Sequence, residues 1–108
     1  ASKVGMLLYA GKVPIIPEAL TFASRGFVAA GSKRNRQFCS KHVNIDTGVD
    51  PFLIDVLADA QTSGGLLISV PENKTAMLVQ RLQDKNTPAA SVIGEVMSEP
   101  TGVIKVSQ

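Results

Sequence analysis

An α+β fold, layered α/β/α with a mixed sheet of about four strands flanked by helices, is what the order of this chain predicts. Three observations lead there. Segments with the two-residue alternation of strands take turns with segments of helical spacing, in the order β-α-α-β-α-β-β. Proline or glycine stands near most of the changes between them. No internal repeat, heptad array or low-complexity tract offers a competing architecture. With 108 residues the chain can bury one core but not two, so residues 1–108 read as a single domain.

Lys3 to Tyr9 places Val4, Met6 and Leu8 on one face, the pattern of a half-buried strand. Gly11 to Pro17 is a bent, proline-marked connection. Pro17 at a first helical position, followed by Glu18, predicts a helix through Ser24 that ends near Gly26, with Ala19, Leu20 and Ala23 toward the core. Gly31 to Asn35 reads as an exposed loop, and Ser40 to Pro51 as a loop with little regular structure. Asp50 is a plausible N-cap for a helix from Pro51 to Ala58, whose Phe52, Leu53, Val56 and Leu57 have helical spacing. Leu66 to Val70 reads as a buried strand. Pro71-Glu72 then opens the clearest helix, with Thr75, Leu78, Val79 and Leu82 on one side and Asn86 to Pro88 as its stop. Ser91 to Val96 and Val103 to Val106 are two strands joined by a turn around Glu99-Pro100-Thr101-Gly102.

Composition bounds the function. Hydrophobic residues make up 44% and charged residues 19%, as in ordinary globular proteins. No apolar run nears the roughly 20 residues that cross a bilayer. The N-terminus lacks the basic, apolar, small-residue order of a secretory signal. The start, Ala1-Ser2, fits a processed, truncated or domain-level chain. A single cysteine, Cys39, cannot form an internal disulfide, so a cytoplasmic setting is the simplest. The net charge of +2 makes no case for nucleic acid by itself. The basic stretch Lys33-Arg34-Asn35-Arg36, with Lys41 and His42 beyond it, would have to contact phosphates without a stacking platform, since there is no Trp and one Tyr. It reads either as a solvated basic surface or as a contact to the phosphates of a small ligand.

The most informative segment is Asp59-Ala60-Gln61-Thr62-Ser63-Gly64-Gly65, which runs into Leu66-Leu67-Ile68-Ser69-Val70. Adjacent glycines leave N–H groups uncovered and allow positive φ, and the short oxygen and amide groups of Asp59, Gln61, Thr62 and Ser63 share the turn. A polar turn held by a buried strand can build an anion site. It can equally be a tight turn entering a core strand. Elsewhere, Cys39 and His42 have a spacing that suits a nucleophile and its base, or half a metal site. Neither has a third partner, so a buried cysteine with a surface histidine is the expectation. Asp46, Asp50, Asp55 and Asp59 are not assigned as metal ligands. Asp59 is instead expected to accept N–H groups and shape the 62–65 turn.

Four blocks resemble the selenophosphate synthetases (selenide, water dikinases), in that family's order. They are Val13-Pro14-Ile15-Ile16-Pro17, then Gly31-Ser32-Lys33-Arg34-Asn35, then the Asp59–Leu67 segment, and last Val92-Ile93-Gly94-Glu95-Val96. Together they are similar to the family's C-terminal domain only. Ala60 stands where the family usually has Pro, Ala30 where a Gly is commoner, and Ser32 where Thr is usual.

The resemblance implies a mixed sheet flanked by helices, partly ferredoxin-like, in a superfamily with aminoimidazole ribonucleotide synthetase and thiamine-phosphate kinase. It implies an enzyme that converts ATP, selenide and water to selenophosphate, AMP and phosphate with Mg²⁺ and usually K⁺. The catalytic Cys or selenocysteine, the metal-binding aspartates and most of the ATP contacts are expected on an absent N-terminal domain. That domain is also the expected partner and the basis of a homodimer, with no nucleic acid or membrane partner. No catalytic residue is expected in this chain, and the isolated chain is expected to be inactive. Its expected share is Arg34, Asn35, Thr62, Ser63, Gly64 and Gly65 on phosphate, with Gly31, Ser32, Asp59 and Gln61 shaping the loops. Three rivals stay open: another ATP-using member of the superfamily, a stand-alone small-ligand-binding module, and a nucleic-acid-binding domain built on Lys33, Arg34, Arg36 and Lys41.

Overall fold

The computed structural model describes residues 2–108. Strand β1 (Gly5–Tyr9) leads through a short 3₁₀ turn at Ala10–Lys12 to helix α1 (Pro17–Ser24). Helix α2 (Ala30–Cys39), strand β2 (Val43–Ile45), helix α3 (Pro51–Leu57), helix α4 (Glu72–Asp84) and strands β3 (Gly94–Met97) and β4 (Ile104–Ser107) follow. The four strands form one mixed sheet in the order β2-β4-β1-β3, with β1 parallel to β4, β4 parallel to β2, and β3 antiparallel to β1. The expected α+β class is what the molecule has. Among the described residues no helix is long and apolar enough to cross a membrane.

Local chemistry explains the ends of the elements. α1 begins on Pro17 and stops where Gly26 takes φ +87°, with the Phe27 N–H returning to the Phe22 carbonyl at 3.0 Å. Asp50 caps α3 as expected, its carboxylate accepting the Phe52 N–H at 2.8 Å. α4 ends on Asn86 in the left-handed region, where the Thr87 N–H reaches back to the Leu82 carbonyl at 3.0 Å.

The last two strands do not pair with each other. β1 lies between them, and the connecting turn passes over the start of β1. There the Gly102 N–H donates to the Val4 carbonyl at 2.9 Å, and the Pro100 carbonyl occupies the space a Cβ on Gly5 would need. Gly94 is constrained in the same way: a Cβ there would collide with the Leu7 carbonyl.

Register sorts the sheet into two faces. Ile45, Val106, Leu8 and Gly94 form one row across it, and Val43, Ile104, Met6 and Val96 the next row on the same face. The core gathers on the first row, where Val106 packs with Ala10, Val49 and Ile54 and with the flanking Leu8, Val43, Leu53 and Leu57. α3 is therefore the helix on the sheet, and α1 and α2 pack against α3. The opposite face is more polar, carrying Asn44, Lys105 and Glu95 in one row with Leu7.

Four expectations are corrected. Gly31 to Asn35 is not a loop but the first half of α2. Its helix survives without a side-chain cap because Ser32 and Asn35 are tied to the next helix. The stretch from Ser40 to Pro51 contains β2, a strand too short to show an alternation and held by its partner β4. Leu66 to Val70 is not a buried strand: it has no sheet partner, and Leu66 and Leu67 are 89% and 76% exposed. Cys39 is exposed, at the last residue of α2, and not buried as expected.

Candidate functional site

The two sequence blocks meet through α2. At 3.6 residues per turn, Ser32, Asn35 and Arg36 share one side of that helix. Ser32 is the one buried polar side chain among the described residues, and its hydroxyl donates to the Asp59 carboxylate. Asn35 donates its amide to the Ala58 carbonyl at 3.1 Å. Arg36 reaches the Asp55 carboxylate at 2.6 Å and the Pro51 carbonyl at 3.3 Å. α2 thus holds α3 along its length and fixes the residues from which the glycine turn departs.

This geometry reassigns several residues. Asp59 accepts the Ser32 hydroxyl rather than the N–H groups of the 62–65 turn, because α2 brings a buried donor to it. Asn35 is occupied in positioning the end of α3. The left-handed residue of the turn is Ser63, at φ +55°, and neither glycine has a positive φ. A left-handed L-residue costs roughly 1–2 kcal/mol. It is also half of the αR–αL pairs whose N–H groups form anion-binding concavities. Gln61, Thr62, Ser63, Gly64 and Gly65 are all exposed.

Arg34 lies on the side of α2 opposite Ser32 and Arg36. It is exposed and makes no ion pair or hydrogen bond among the described residues, and nothing links it to the 62–65 turn. The blocks are joined at Ser32–Asp59 and Asn35–Ala58, while Arg34 and the glycine turn remain open to solvent. Gly31, half-buried in the first turn of α2, has free space around it.

Two shallow hollows adjoin the linkage. One, of about 460 Å³, is bordered by Lys33, Arg36, Gln37, Ser40 and Asp55, with Arg36 already neutralised by Asp55. The other, of about 280 Å³, lies under the edge-to-face pair Phe22–Phe27 and reaches Ser32, Asp59 and Gln61. Among the described residues no group of three His, Cys, Asp or Glu side chains could hold a metal ion.

Arg36 and Asp55 are the positioning residues that sequence reasoning missed. In the sequence Arg36 reads as part of the basic stretch 33–36, either a solvated surface or a contact to ligand phosphates. The signal that could have found the pair is weak, since it needs α2 to be recognised as a helix. On the far face of the sheet, Tyr9 donates its hydroxyl to Glu95, which raises the tyrosine pKa, with smaller contributions from burial and from the carboxylate charge. Lys12 sits 4.5 Å above the same ring.

The selenide, water dikinase of Nitratidesulfovibrio vulgaris (strain DSM 19637 / Miyazaki F) is 38% identical over 106 residues, 98% of this chain and 30% of that protein. The selenide, water dikinase of Pelobacter propionicus is 40% identical over 99 residues, 92% of this chain and 28% of that protein. The chain matches a selenophosphate synthetase C-terminal domain. A selenide, water dikinase of Clostridioides difficile is 36% identical over the same 98% of the chain and 30% of its own length. This chain thus spans less than a third of the selenide, water dikinases it matches. No family profile matches it.

Proposed function

We propose that this chain serves as the C-terminal domain of a selenophosphate synthetase and closes the phosphate side of its active site. The full reaction takes ATP, selenide and water to selenophosphate, AMP and phosphate. The observation that carries the reading is the pair of ties from α2 to the end of α3, Ser32 to Asp59 and Asn35 to the Ala58 carbonyl. They join the two family-like blocks into one rigid unit and leave Arg34 and the 62–65 turn free to meet a ligand held by another part of the enzyme.

Phosphoryl transfer depends on positioning and charge stabilisation more than on covalent help from the protein. Arg34 supplies a permanent cation with a planar donor fork for phosphate oxygens. Thr62 and Ser63 supply hydroxyls, and Gly64 and Gly65 supply N–H groups that no side chain covers. Ser32, Asn35 and Asp59 act as positioning residues. Metal binding, the attacking group and the adenine contacts belong to the remainder of the enzyme, as does the dimer contact, and the isolated chain is inactive. The setting is the cytoplasm.

Two experiments test this. Arg34→Ala in a full-length enzyme carrying this domain is expected to lower turnover roughly 100-fold with the melting temperature unchanged. Unaltered kinetics would remove Arg34 from the site. An amide-resolved NMR titration of this chain with Mg²⁺-ATP is expected to move Ser32–Arg36 and Asp59–Gly65 together if the unit grips phosphate by itself. Silence there, with a slow Arg34→Ala enzyme, would make the two surfaces half of a site.

A further inference from the structure

The larger of the two hollows carries a set of donors that the Arg34 surface does not use. Its volume is about 460 Å³, and Lys33, Arg36, Gln37, Ser40 and Asp55 border it. Lys33, Gln37 and Ser40 follow one another at one-turn spacing, so one flank of α2 lines the opening. The Ser40 hydroxyl is spent on the Gln37 carbonyl at 2.7 Å. The Lys33 ammonium and the Gln37 side-chain amide make no ion pair or hydrogen bond among the described residues.

Arg36 is fixed yet only partly used. Its bonds to the Asp55 carboxylate at 2.6 Å and to the Pro51 carbonyl at 3.3 Å both leave from one nitrogen, Nη1. Nη2 and Nε make no bond among the described residues. These two nitrogens share an edge of the guanidinium plane and donate in parallel, the geometry that suits a doubly bonded oxyanion. Asp55 therefore holds the group in place and leaves its fork available, so little side-chain freedom remains to be lost on binding. Around the hollow two cations stand against one carboxylate, and that carboxylate is already bound to Arg36.

We propose that this hollow binds a phosphate group, either free phosphate or the end of a phosphate monoester. Arg36 Nε and Nη2, the Lys33 ammonium and the Gln37 amide are its donors. The donor set favours phosphate over carboxylate. A carboxylate has two oxygens, which the Arg36 fork alone satisfies, leaving Lys33 and Gln37 idle. A phosphate group offers those residues a further oxygen, and Lys33 a second negative charge. No aromatic residue borders the hollow, so nothing there stacks a base, and the phosphate is the part recognised. Neither Arg34 nor the 62–65 turn borders it. The site is separate from the function proposed above and does not rest on it.

NMR of the chain, titrated with sodium phosphate at constant ionic strength against sodium chloride, tests the proposal. Saturable shifts are expected at the Arg36 Nε–H, the Gln37 side-chain amide and the backbone of residues 33–40. Lys33→Ala removes an exposed, unpaired side chain, so melting should be unchanged while phosphate binding weakens about tenfold. Arg36→Lys keeps the charge beside Asp55 but loses the fork, and should weaken binding at least as much. Glycerol phosphate run in parallel separates the two sources: a tighter complex assigns the site to a monoester, an equal or weaker one to free phosphate. Shifts that chloride reproduces would overturn the proposal, because they report screening alone. Acetate binding as well as phosphate would overturn it too, since the place would then be a carboxylate's. So would phosphate binding that ignores Lys33→Ala.

Discussion

Phe52-Leu53-Ile54 and Leu66-Leu67-Ile68 are close to interchangeable in hydrophobicity, yet Ile54 is 6% exposed and Ile68 is 47% exposed. The first run is held by polar ties. Asp50 accepts the Phe52 N–H, Arg36 reaches the flanking Pro51 carbonyl and Asp55, and Ile54 joins the cluster with Val106 and Val49. No hydrogen bond holds the second run among the described residues, and no sheet neighbour takes its backbone. The difference teaches that apolar content nominates a segment for burial, while directional contacts and a matching surface decide whether it is buried.

That contrast can be broken most forcefully at its apolar end. Ile54→Ala should cost about 2–5 kcal/mol by urea unfolding, whereas Leu67→Ala should stay within about 0.5 kcal/mol. Equal losses would mean that the second run is as integrated as α3. Next in size is the tie that precedes that run. Ser32→Ala removes the hydroxyl that Asp59 accepts and should cost about 1–2 kcal/mol. Hydrogen exchange should then quicken from Ala58 to Gly65 while β1 and β4 keep their protection. Uniform quickening across the sheet would show that Ser32 supports the core at large and not this junction.

The smallest effect concerns Tyr9, the chain's one tyrosine. Its bond to Glu95 raises its pKa, so this contribution to stability is complete below the ordinary value of about 10 and fades as pH climbs through the raised value. Ultraviolet titration should place the folded tyrosine above the denatured one. Tyr9→Phe should remove that small contribution at neutral pH and flatten the alkaline loss. A folded value at or below the denatured one would break the inferred contact.

Much of the fold was readable because local chemistry left plain marks. Pro17, Gly26, Asp50, Pro51 and Asn86 bracket their helices where proline, left-handed residues and capping carboxylates must stand. The errors share a cause. Gly31 to Asn35 has the composition of a loop, and only the contacts of Ser32 and Asn35 with Asp59 and Ala58 make it a helix. Leu66 to Val70 has the composition of a core strand, and only the lack of a neighbouring strand leaves it in solvent. Ser63 taking the left-handed position beside two glycines has no mark in the sequence at all.

For the candidate site the division is similar. The order of four blocks along the chain was enough to indicate the selenophosphate synthetase likeness, since residue identity and sequence order carry that information directly. The sequence also determined the α+β class, through the alternation of two hydrophobic periods. Tertiary structure alone decided that Asp59 serves Ser32, that Asn35 holds α3, and that Arg34 points away from both. Those outcomes depend on the angle of each side chain around α2 and on which helix lies beside it. Such angles and distances arise only when segments far apart in the chain pack together.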